Sequence, residues 1–87
     1  MGVTHADFFR MLPAAIDNQP HTVRDATVVI SYPDRTVTIE LGPEQERSLA
    51  SLRLPYTDVS FAFDAFSDDA REQFMERFEL YFRRGGG

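Results

Sequence analysis

The sequence predicts a small two-layer domain of the α+β class, with elements in the order α-β-β-α-β-α and helices packed on one face of a mostly antiparallel sheet. Apolar residues recur with helical spacing at both ends of the chain, they alternate with a period of two in between, and Gly and Pro mark the changes of period. Eighty-seven residues with eight Phe and three Tyr are enough for one core of modest size.

Thr4 and Asp7 have the spacing of a capping box, and Val3 with Phe8 that of a hydrophobic staple, so a first helix is expected to start there. Phe8, Phe9, Met11, Leu12, Ala15 and Ile16 fall on one side of it. Pro13 lacks an N–H and predicts a kink or break at Leu12-Pro13.

From His21 the period is two. Ala26, Val28, Ile30 and Tyr32 share one face of a strand, and Val37, Ile39 and Leu41 share one face of the next. Tyr32-Pro33-Asp34-Arg35 between them carries turn residues, which predicts a β-hairpin. A loop of even length keeps apolar residues opposite one another: two residues pair Ile30 with Val37, four pair Ile30 with Ile39.

Gly42-Pro43-Glu44-Gln45-Glu46 reads as a strand stop followed by a short helix, with Pro in the first turn, acids beside it, and Leu49 and Leu52 as core anchors. Pro55 ends that helix, and Val59, Phe61 and Phe63 alternate as a third strand. Ser67 is the N-cap of the last helix, whose stripe runs through Ala70, Phe74, Met75, Phe78, Tyr81 and Phe82 and stops at Arg83-Arg84-Gly85. Residues 1–84 then form one domain, and 85–87 a flexible Gly tail.

Composition excludes several functions. The absence of Cys removes disulfides, thiolate zinc sites and cysteine nucleophiles. Fourteen acids against nine bases give a net charge of −5, which a phosphate backbone repels, so no nucleic-acid partner is expected. No apolar run is long enough to span a bilayer and no signal-like segment opens the sequence, so an unexported, cytoplasmic chain without a membrane partner is expected.

No glycine-rich phosphate loop and no Gly-x-Ser-x-Gly elbow is present, and no cofactor is expected. His5 and His21 are the only histidines, too few for a zinc site without other good ligands. His21 with Asp25 has the spacing of an imidazole–carboxylate pair across a strand edge, yet nothing nearby offers a nucleophile to activate. Asp64, Asp68, Asp69 and Glu72 match no calcium loop and are expected to compensate a helix dipole.

Leu80 lies off the aromatic stripe beside Arg77 and Arg84, and Phe9 lies at the edge of the first helix's stripe. These four are the expected partner contacts. The function they imply is a non-enzymatic protein–protein interaction domain, a small subunit or adaptor, or a homodimer. A second reading uses the aromatic core to hold a small ligand.

The terminal Gly86-Gly87 resembles the Gly-Gly end of ubiquitin-like proteins and bacterial sulfur carriers. The resemblance covers only the last few positions. It implies a carrier activated at the carboxylate of Gly87, where a tail without side chains enters the activating enzyme. In those carriers the tail follows a strand, whereas here it follows an expected helix.

Overall fold

The computed structural model describes residues 1–86, with the side chains of Leu49 and of residues 84–86 left out of that description. Its elements are α1 (His5–Ala15), β1 (His21–Arg24), β2 (Thr27–Ser31), β3 (Thr36–Leu49), β4 (Leu52–Asp64) and α2 (Asp68–Gly86). The four strands form one antiparallel meander in the order β1-β2-β3-β4. The α+β class holds, while the order is α-β-β-β-β-α: the short helix expected after Gly42 is instead the outer half of a long hairpin.

α1 begins as its sequence predicts, with the Asp7 N–H donating to Thr4 Oγ1 at 3.1 Å. The helix does not break at Pro13 and continues to Ala15. Pro13 sits in the last turn, so the missing N–H costs a single bond, and the Asn18 N–H closes the end on the Pro13 carbonyl at 2.8 Å. Asp17 and Asn18 then reverse the chain with φ of 56° and 55°.

The strand expected from His21 is two strands. Arg24 faces Thr27 across a turn in which Asp25 takes a φ of 54°, a conformation Asp tolerates better than most residues. In the following hairpin Ile30 lies opposite Val37 and Val28 opposite Ile39, the register of a two-residue loop. Tyr32 closes that loop by donating its N–H to the Arg35 carbonyl at 2.9 Å.

Period two decides which face is buried. Val28, Ile30, Val37 and Ile39 have no exposed surface and point to the helices, while Ser31, Glu40, Ser60, Ala62 and Asp64 face solvent. α2 starts at Ser67, whose Oγ accepts the Ala70 N–H at 3.1 Å. Its Phe78 and Phe82 stack at 4.4 Å between centroids, and Phe8 of α1 meets them at 6.0 and 5.1 Å. Phe61 of β4 meets Phe78 edge-on at 5.0 Å, which ties the sheet to both helices through one set of rings.

Candidate functional site

The bulge at Gly42-Pro43 shapes the surface of this molecule. Leu41 pairs with Val59 and Glu44 with Thr57, so β3 spends two residues where β4 spends one, Asp58. The insertion shifts the alternation by one, and both Leu41 and Glu44 face the helices. The Glu44 carboxylate accepts the His5 N–H there, and His5 Nε2 bonds the Gly42 carbonyl at 2.7 Å. Gly42 and Glu44 thus start no helix of their own, and instead hold His5 at the first turn of α1.

Beyond the bulge, β3 has only β4 as a partner, because β2 pairs with it no further than Glu40. The result is a two-stranded arm, residues 44–56, turning at Ala50-Ser51 between Leu49 and Leu52. A strand of 14 residues reaches about 46 Å at the usual rise, which accounts for the molecule's longest extent of 47 Å. Pro55 is accommodated inside β4 because the N–H and C=O of Thr57 point to the outer edge, and the backbone N and C=O of Pro55, two residues away, point the same way, so the N–H that proline lacks is not one the ladder to β3 needs.

The arm's outer face carries Leu52, 59% exposed, and Leu54, 44% exposed. Leu52 therefore anchors no core, contrary to expectation, and the Leu49 side chain lies outside the described residues. On the same face Arg47 lies over the Tyr56 ring at 4.8 Å, and the Tyr56 hydroxyl donates to Asp58 Oδ1 at 2.7 Å. That hydrogen bond to a carboxylate pushes the Tyr56 pKa up. The other face carries the Arg53–Glu46 ion pair at 3.8 Å, open to solvent and worth little on its own.

Of the expected contacts, Leu80 is 43% exposed on α2. Arg77 works inside the chain: its guanidinium donates to the Ala14 carbonyl at 3.1 Å, reaches Asp17 at 3.5 Å and lies over the Tyr81 ring at 4.9 Å. Phe9 is partly buried and meets Phe8 edge-on at 5.6 Å. The Arg84 side chain lies outside the described residues. Backbone helix continues to Gly86, and Gly87 is outside the description.

His21 Nδ1 bonds the Gln19 carbonyl at 3.0 Å rather than Asp25. Asp68 pairs with Arg71 at 3.6 Å in the first turn of α2. No group of three or more His, Asp or Glu comes together as a metal site among the described residues, and no helix among them is long and apolar enough to cross a membrane. Phe74 and Phe82 each stack on Phe78, and Phe74 and Phe78 pack edge-on against Phe61.

The arm is the feature that the helical reading of residues 43–52 hid. Its sequence signal is the alternation of Leu52, Leu54 and Tyr56 with Arg53 and Pro55, a period of two that continues into Asp58 and Ser60. Compared with known protein families, curated proteins and solved structures, the chain matches none.

Proposed function

We propose that this chain is a non-enzymatic protein–protein interaction domain, a small subunit or adaptor, whose docking element is the β3–β4 arm. The observation that supports this reading is the pair Leu52 and Leu54, exposed side by side on a two-stranded ribbon that the rest of the sheet does not support. A lone hairpin is marginally stable in water, and two adjacent exposed leucines add apolar surface that a partner would bury.

The test is a native mass spectrum of the untagged protein taken gently from its own cells, compared with the Leu52→Ser/Leu54→Ser double variant. The expected result is a stoichiometric complex that the variant loses while its circular dichroism is unchanged. Bare monomer in both samples overturns the proposal. Loss of the complex in Leu80→Asp, with the arm variant still bound, moves the contact to α2.

A further inference from the structure

β4 is an edge strand, and the chain itself shows what that edge accepts. Met1 and Thr57 exchange both backbone hydrogen bonds, at 2.6 and 2.7 Å, which is the pattern of an antiparallel pair. Two, four and six residues further along β4, the N–H and C=O of Val59, Phe61 and Phe63 point to the same side by alternation. No backbone group pairs with them there among the described residues.

Beside this free edge runs a groove of about 280 Å³ lined by Met1, Val59, Phe61, Met75, Phe78 and Glu79, and reached from the other face of β4 by Tyr56 and Asp58. Its floor is apolar, α2 presents Glu79 to it, and Glu72 stands two turns earlier on the same side of the helix. On the opposite face of the same strand stand the exposed Asp58 and Asp64. None of these four carboxylates is in an ion pair among the described residues.

We propose that this edge and groove bind an extended segment of another protein in which apolar and basic residues alternate. Such a segment adds a fifth strand, continuing the line of Met1 antiparallel to β4. Its alternate side chains turn toward Val59, Phe61 and Met75, as the Met1 side chain already does, and the others turn to the face of Asp58 and Asp64. A second copy is the poorer occupant. Pairing two β4 edges about Phe61 puts Asp58 opposite Asp64 twice, and each chain brings a net charge of −5.

This surface is separate from the arm's leucines, so either proposal can fail alone. The probe is a blocked peptide of about eight residues alternating valine and arginine, titrated into the full chain and followed by backbone amide shifts. The expected shifts lie at Val59, Phe61, Phe63 and Met75, with affinity at least about tenfold above that of a valine–glutamate peptide. Glu79→Lys, on an exposed helix position, is expected to weaken binding by about tenfold with the fold unchanged. Val59→Pro removes an outward N–H as Pro55 already does nearby, and is expected to abolish the shifts.

Equal affinity for the glutamate peptide, shifts confined to Leu52 and Leu54, or no shifts in β4 would each overturn the proposal. So would concentration-dependent dimers that protect Val59 and Phe63 from exchange. Should Val59→Pro fail to fold, Glu79→Lys and the map of shifts decide.

Discussion

Thr57 holds Met1 by both of its backbone groups and, in the same place, donates its hydroxyl to the Val3 carbonyl at 2.8 Å. It has no exposed surface, and no other donor reaches the Val3 carbonyl among the described residues. Thr57→Val keeps shape and strand propensity and removes only the hydroxyl. The expected loss is about 1–2 kcal/mol, read as a lower urea midpoint with an unchanged slope. An unchanged midpoint would show that water replaces the hydroxyl.

Phe78 and Leu80 stand two residues apart on α2, and their surroundings differ completely. Phe78 is fully buried among Phe8, Phe61, Phe74 and Phe82, whereas Leu80 is 43% exposed. Phe78→Ala is expected to cost about 3–5 kcal/mol, enough to unfold much of a domain of this size, and Leu80→Ala to stay within about 0.5 kcal/mol. Denaturant melts of the two variants check the pair, and similar midpoints would contradict the packing described.

The class, the β2–β3 hairpin and both terminal helices were legible because each rests on a local signal that tertiary contacts reinforce. Pro33-Asp34 sets the hairpin loop, Ser67 caps α2, and the Val28–Ile39 alternation has one apolar face to bury. The middle of the chain reads differently because its signals are ambiguous. Gly42-Pro43-Glu44 suits a helix start as well as a bulge, and only the position of His5 in space, with its N–H on Glu44, decides between them. Leu49 and Leu52 suit helical spacing as well as facing positions across a two-residue turn. For the site, Leu80's exposure followed from helix geometry, whereas Arg77's bond to Ala14 spans 63 positions and leaves no trace in local pattern.

Ala50 turns the arm with a φ of 56°, in the left-handed region where a Cβ costs about 1–2 kcal/mol. Glycine removes that strain and adds roughly 0.5–1 kcal/mol of unfolded-state entropy to be overcome. Ala50→Gly is therefore expected to stabilise the turn by up to about 1 kcal/mol. Amide exchange is the sensitive measurement, because the arm opens more easily than the core: slower exchange in residues 44–56 is expected, with Val37 and Ile39 unchanged. Faster exchange in the arm would place the turn in another conformation.

Two tyrosines carry raised pKa values for different reasons, and this separates them by mutation. Burial dominates at Tyr32 and outweighs the opposing charge of Arg35, which lies over its ring at 5.1 Å. At Tyr56 the hydrogen bond to Asp58 dominates. Followed by ring-proton NMR, both are expected to ionise above the ordinary value of 10.0 in the folded chain. Asp58→Ala should return Tyr56 toward that value and leave Tyr32 raised, and movement of both together would refute the assignment. Because each folded pKa lies above its unfolded value, the folded chain binds more protons in the window above pH 10.0. The Tyr32 contribution to stability is then complete below the unfolded pKa and is lost as pH rises through the folded one. Urea midpoints across that alkaline window should fall less steeply in Tyr32→Phe than in the parent, since phenylalanine has no proton to lose.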